Sequence, residues 1–172
     1  KTLSRQFTAC YPMSSELELN FNTRLGRSGR KERWDTEMLL DSNVFLEAML
    51  AEEHGKACKQ LLEKLRDGAL KAAITDFHVD SVVVVMENHG KGWKEIALFL
   101  ASLLRYKGLR VYPLGLVSRI RATSLMRDYG LNFDDALAVQ ALKELTNDTI
   151  VSYDGDFDSV EWVKRRTPED LL

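Results

Sequence analysis

From Glu37 onward, short apolar runs alternate with segments of helical period, and this alternation constrains the fold more than any other feature of the chain. Met38-Leu39-Leu40 is a short apolar run that ends at Asp41, and Ala72-Ala73-Ile74-Thr75 is a second. Residues 109–113 and 149–153 make a third and a fourth, the last ending at Asp154. Asp41-Ser42-Asn43 supplies capping side chains for a helix to about residue 53. A second helix over 55–66 stops at Asp67-Gly68, where glycine suits a left-handed cap. Further helical periods cover 76–88, 93–106, 117–129 and 133–145. The β-branched run Val82 to Val85 falls inside the helix 76–88, because Thr75-Asp76 reads as its cap and His89-Gly90 as its stop. Strands that alternate with helices pair in parallel through right-handed crossovers. The expected fold is therefore α/β, a three-layer α/β/α sandwich around a mostly parallel sheet.

The first 36 residues lack this periodicity and hold Arg24, Arg27, Arg30, Lys31 and Arg33 among Gly and Ser. They carry seven Lys/Arg against four Asp/Glu, whereas residues 37–172 carry seventeen against twenty-two. The expected organisation is a basic arm, 1–36, joined to a domain, 37–172. Because the net charge of the whole chain is only −2, no molecule-wide basic field for nucleic acid exists. The arm is expected to pack on the domain or on a neighbouring subunit, which would make the chain a homodimer or higher oligomer.

Cys10 and Cys58 form no C-x-x-C pair, and His54, His78 and His89 form no H-E-x-x-H, so no zinc site or disulfide framework follows. A reduced, cytoplasmic setting is expected. The run Ile96 to Leu104 falls short of the roughly 20 apolar residues of a membrane span. Trp93, Phe99 and Leu103 are spaced for one helical face, which suits a core or dimer contact.

The carboxylates carry the chemistry. Asp41 and Asp154 close the first and last runs, and carboxyl ends of parallel strands share one edge, where ligands bind. Asp134 and Asp135 open the helix that returns to that edge, while Asp156 and Asp158 follow Asp154 in its loop. Converging carboxylates repel unless a cation compensates them, and an all-oxygen set suits Mg²⁺ or Mn²⁺. Such an ion can activate water against a phosphodiester without a Ser, Cys or His nucleophile. Each acid also has a plain structural use: Asp135 sits at the third helical position after Asn132, and Asp41 can cap its helix.

These residues resemble the PIN-domain family of metal-dependent ribonucleases, which includes VapC-type toxins. Leu39-Leu40-Asp41-Ser42-Asn43 is similar to the family's opening strand and Asp-Thr/Ser-Asn. Gly130-Leu131-Asn132-Phe133-Asp134-Asp135-Ala136 looks like its Gly-Leu-x-x-x-Asp-Ala helix start. Ile150-Val151-Ser152-Tyr153-Asp154-Gly155-Asp156-Phe157 and Thr167-Pro168-Glu169-Asp170-Leu171-Leu172 are similar to its closing strand and tail. The resemblance implies a metal-dependent endoribonuclease, either a toxin with an antitoxin partner or an RNA-processing enzyme. It makes Asp41, Asp135 and Asp154 the catalytic metal ligands with Asp156 beside them, and gives Asn43, Ser152 and Asp134 the task of orienting those ligands. The family's further acid, early in the helix after the second strand, is expected at Ser81. Either Asp80, or less readily Glu87, stands in for it, or the site is short of one carboxylate. RNA would be held by Lys91, Lys94, Arg119 and Arg121, with Arg165 and Arg166 behind them. The competing readings are a catalytically idle PIN-like module that grips RNA or protein, and a receiver-like signalling domain. The latter expects a Lys at the end of a late strand, where this chain has Pro113-Leu114-Gly115.

Overall fold

A computed structural model describes residues 36–50 and 53–172, all within one unit that spans Trp34–Leu172. Except for Thr36, the expected arm lies outside the described residues, as does Cys10. Five strands form one sheet: β1 (Met38–Leu40), β2 (Ala72–Thr75), β3 (Leu109–Tyr112), β4 (Thr149–Val151) and β5 (Lys164–Arg166). Their order is β3-β2-β1-β4-β5, and every pairing is parallel. Six helices connect them: α1 (Ser42–Leu50), α2 (Gly55–Asp67), α3 (Asp76–Asn88), α4 (Trp93–Leu103), α5 (Leu116–Tyr129) and α6 (Phe133–Leu145).

Side-chain alternation along the strands divides the core in two. Met38, Leu40, Ala72, Ile74 and Val151 point into a cluster built with Val44 and Phe45 of α1, Leu61 and Leu65 of α2, Val82 of α3 and Phe99 of α4. Leu39, Ala73 and Ile150 point the other way, onto Leu125 of α5, Leu137 and Leu142 of α6, and Phe157. A sheet buried on both faces explains why β1 and β2 are apolar at every position. The three layers thus match the sequence expectation, with α1–α4 on one face and α5 and α6 on the other. Gly68 and Gly130 end α2 and α5 in the left-handed conformation, at φ 84° and 71°.

Three expectations need correction. The strand expected over 149–153 ends at Val151, because Ser152 turns its side chain toward β1. The helix expected over 93–106 ends at Leu103, with Leu104 89% exposed. Phe99 and Leu103 of that helix are buried as expected, but Trp93 is 75% exposed and leaves their face. The fifth strand, Lys164–Arg166, was not expected at all. No helix among the described residues is long and apolar enough to cross a membrane.

Candidate metal centre

The strand order reverses at β1. From there the chain proceeds outward through β2 and β3, and later fills the other side with β4 and β5. Loops leave the carboxyl ends of β1 and β4 in opposite directions, which opens a crevice between them. The backbone N–H of Asp41 donates to Val151 O at 3.1 Å, so the ends of both strands are pinned there.

Asp41 is 7% exposed and held from several sides. Its Oδ2 accepts from Ser152 Oγ at 2.6 Å and from Asn43 Nδ2 at 2.8 Å, and its Oδ1 accepts from Ser42 Oγ at 3.1 Å. Asn43 Nδ2 also lies 2.8 Å from Ser152 Oγ, and that oxygen accepts the backbone N–H of Asp154 at 2.9 Å. One buried hydroxyl therefore fixes the acid after β1 relative to the loop after β4. The Oδ1 of Asn43 is buried and finds no donor among the described residues.

Across the crevice, Asp135, Asp154 and Asp156 offer carboxylate oxygens that all lie within 4.8 Å of one another. Asp135 projects from the first turn of α6 and is 7% exposed, whereas Asp154 and Asp156 are exposed. The Asp154 carboxylate accepts the backbone N–H of Asp156 at 2.8 Å, which folds the loop back and brings the two side chains together. Burial pushes the Asp135 carboxyl up to about 7, and the negative charges of Asp134, Asp154, Asp41 and Asp156 push the same way. A buried carboxyl facing four others is the electrostatic environment that a divalent cation relieves, and an all-carboxylate set suits a hard ion. The residues present therefore fit a divalent metal.

The sequence-predicted residues divide accordingly. Asp135, Asp154 and Asp156 form the tight group; Asp41 stands outside it but close enough to act on Asp135. Asp134 is exposed and acts on Asp135 through charge. Asp80 and Glu87 are exposed and join no such group, and Ser81 spends its hydroxyl on Phe77 O at 3.0 Å. The expectation that Asp80 fills the place of a missing acid is therefore not supported by its position. The α3 residue that faces Asp41 is His78, 2% exposed, with Nε2 at 4.0 Å from Asp41 Oδ1. Burial lowers the imidazole pKa, opposed by the charges of Asp41, Asp134 and Asp76. His54, His78 and His89 lie too far apart in the sequence to form a motif, so no histidine pattern marks His78. The available signal was its place three residues after Thr75, whose Oγ1 accepts the His78 N–H at 3.1 Å and caps α3.

The cations are distributed unevenly. Arg119 lies at the rim, with NH2 3.8 Å from Asp76 Oδ1, Nε donating to Leu114 O at 3.2 Å, and its guanidinium 5.7 Å from the Phe77 ring centre. Phe77 in turn meets the partly exposed Phe133 edge-on, with centroids 6.0 Å apart. Arg121 is exposed two residues further along α5. Lys91 and Lys94 follow the far end of α3, about 15 Å along the helix axis from His78. Arg165 is committed to a two-pronged pair with Asp158, at 2.9 and 2.7 Å, which takes Asp158 out of the acidic group.

A family model described as "PIN domain" matches residues 38–163. The fold is similar to that of Mycobacterium tuberculosis VapC20, a sarcin–ricin-loop-cleaving toxin. The TM-score is 0.61 and the identity 12%, over 74% of this chain and 97% of that one. A toxin–antitoxin complex from Klebsiella pneumoniae gives 0.55 and 17%, over 77% and 98%. VapBC2 from Rickettsia felis, bound to a DNA fragment of its promoter, gives 0.54 and 14%, over 77% and 98%. No curated protein matches the chain significantly.

Proposed function

Because the chain belongs to the PIN domain family, we propose that it is a divalent-metal-dependent endoribonuclease of the toxin type. The observation that carries this reading is the convergence of Asp135, Asp154 and Asp156 within 4.8 Å, with Asp41 facing them from β1. Asp135, Asp154 and Asp156 would hold the ion, together with Asp41. A bound Mg²⁺ or Mn²⁺ supplies Lewis acidity and lowers the pKa of water.

The protein's own groups set up the rest. Ser152 and Asn43 fix the Asp41 carboxylate before any substrate arrives, so no reorganisation is needed at the moment of reaction. Arg119 stands at the rim for a phosphate, and Phe77 with Phe133 offers ring surface to an unstacked base, which suits single-stranded or looped RNA. In the hydrolysis, the oxygen of water bonds to phosphorus and gives one proton to solvent, one P–O ester bond breaks, and the departing oxygen takes up a proton from solvent. The neighbouring structures include a toxin that cleaves the sarcin–ricin loop and a toxin–antitoxin complex, which supports RNA as substrate and an antitoxin as partner. Trp93, Leu98 and Leu104, 72–89% exposed around α4, support association with a protein surface, either an antitoxin or a second copy.

The test uses purified chain and a fluorescent single-stranded RNA, with Mn²⁺, with EDTA, and with Asp154→Asn. Asp154 is exposed, and Asn keeps an oxygen for the Asp156 N–H, so the variant should fold normally. Cleavage that requires metal and disappears in the variant supports the enzyme. Binding without cleavage under all conditions refutes it and leaves an idle RNA-binding module.

A further inference from the structure

Ser152 and Tyr153 follow the end of β4 one after the other, and their side chains have separate anchors. Ser152 holds Asp41 and the backbone N–H of Asp154. Tyr153 reaches instead to α2 and to the segment after β5. Its hydroxyl donates to the Glu169 carboxylate, 2.9 Å from one oxygen and 3.1 Å from the other, and accepts from Cys58 Sγ at 3.7 Å. Its ring stacks on the His54 imidazole, with centroids 4.1 Å apart and planes 19° from parallel. His54 Nδ1 lies 3.5 Å from the same Glu169 carboxylate.

Glu169 is itself held. It lies in the short 3₁₀ turn Pro168–Leu171, which Thr167 and Asp170 cap reciprocally. Lys64 of α2 donates to Leu171 O at 3.0 Å and to Leu172 O at 3.1 Å, and Leu171 packs on the core cluster of β1 and α2. The group that receives the Tyr153 proton is therefore tied to α2 rather than to the acidic crevice.

The loop after β4 needs such a tie. Asp154 and Asp156 are exposed, and their charges act on the buried Asp135. Like charges at this range push the exposed pair outward, away from the arrangement that one ion requires. Only Ser152 and Tyr153 stand between the end of β4 and Asp154. Ser152 holds the Asp154 N–H and Tyr153 holds the residue before it, so together they set where the Asp154 carboxylate starts.

We propose that Tyr153 is a positioning residue for the metal centre, clasped by Glu169 and His54, so that the segment after β5 takes part in holding the ion. It acts through Asp154 and presupposes the metal centre proposed above. A ligand fixed before the ion arrives loses less freedom on binding, and partners that orient ligands are worth about 10- to 100-fold in metal affinity.

The test is Mn²⁺ affinity, measured by calorimetry on the full chain, for Tyr153→Phe, Glu169→Ala, Glu169→Gln, and Tyr153→Phe combined with Glu169→Ala. Phe keeps the ring on His54 but loses the donor. Gln and Ala lack the charge alike, but only Gln keeps an oxygen for the hydroxyl, so their difference isolates the hydrogen bond. Urea unfolding in EDTA gives the stability of each variant separately. Tyr153→Phe and Glu169→Ala should each weaken Mn²⁺ binding on the order of 10-fold, and the combined variant no further than either alone. Glu169→Gln should recover most of the loss. An Mn²⁺ affinity unchanged in Tyr153→Phe or Glu169→Ala overturns the proposal even where stability falls, because the clasp is then structural only. Additive losses, or a Gln variant as weak as the Ala one, overturn it as well. If Tyr153→Phe does not fold, the two variants at Glu169, whose side chain is 48% exposed, decide alone. A wild type that binds no Mn²⁺ removes the metal centre itself and the role of Tyr153 with it, an outcome distinct from wild-type binding that the variants leave intact.

Discussion

Replacing Asp135 with Asn should make the metal-free protein more stable, although it removes a residue at the heart of the acidic crevice. A carboxyl whose pKa is higher folded than unfolded binds more protons in the folded state, so stability falls as pH rises between the two values. For Asp135 that window runs from 3.8 to about 7. At full strength the rise corresponds to about 4 kcal/mol. Asp154 and Asp156 are exposed, however, so water and salt screen part of the repulsion. Asn also gives up the favourable interaction of an acid with the first turn of α6, about 0.3–1 kcal/mol. A net gain of about 1–2 kcal/mol above pH 7 remains, or about 2–8 °C in Tm for a chain of this size. The assay is urea or thermal unfolding followed by circular dichroism in EDTA, from pH 4 to pH 8, with the variant compared to the wild type at each pH. His78, whose lowered pKa makes stability change in the opposite sense below its ordinary 6.5, is present in both proteins and drops out of the difference. The gap should be near zero at pH 4 and widen to a plateau above about 7. Saturating Mn²⁺ should then reverse the order, since an ion at 100 times its Kd adds about 2.7 kcal/mol to the protein that binds it. A gap that stays flat across this range, or a variant less stable than wild type at pH 8 in EDTA, would refute the argument that the crevice is electrostatically strained.

Two further outcomes are expected. Ser152→Ala removes a fully buried hydroxyl that serves Asp41, Asn43 and the Asp154 N–H, and should cost about 1–3 kcal/mol in urea unfolding while loosening Mn²⁺ binding in calorimetry. Arg119→Ala should weaken RNA binding and reduce the slope of log K against log salt by about 0.7, the share of one phosphate contact on a single strand.

What the sequence showed and what it concealed have separate physical causes. The three inner strands β2, β1 and β4 were legible because a strand covered on both faces is mostly apolar, as Leu39-Leu40 and Ala72-Ala73-Ile74 are. The positions of Asp41 and Asp154 followed from the rule that parallel strands share one carboxyl edge. β5 was hidden because Lys164-Arg165-Arg166 carries no apolar period. An edge strand can be charged, and this one is placed by backbone pairing to β4. The shortened α4 was hidden because Leu104 continues an apolar period into solvent. The place of His78 was missed for a third reason: which α3 residue meets Asp41 depends on the rotation of the helix against β1, and a count along the helix without that rotation pointed to Ser81.

The Ser152 hydroxyl also has a consequence in time. It joins Asp41 to a residue 111 positions later in the chain, and β1 has no neighbour on that side until β4 arrives. A ribosome-bound chain that has emerged only as far as α5 therefore holds Asp41 with Ser42 and Asn43 but without the Ser152 hydroxyl, and without Asp135, Asp154 or Asp156. Such a fragment cannot assemble the acidic crevice, which closes only once β4 and the loop after it have joined the sheet.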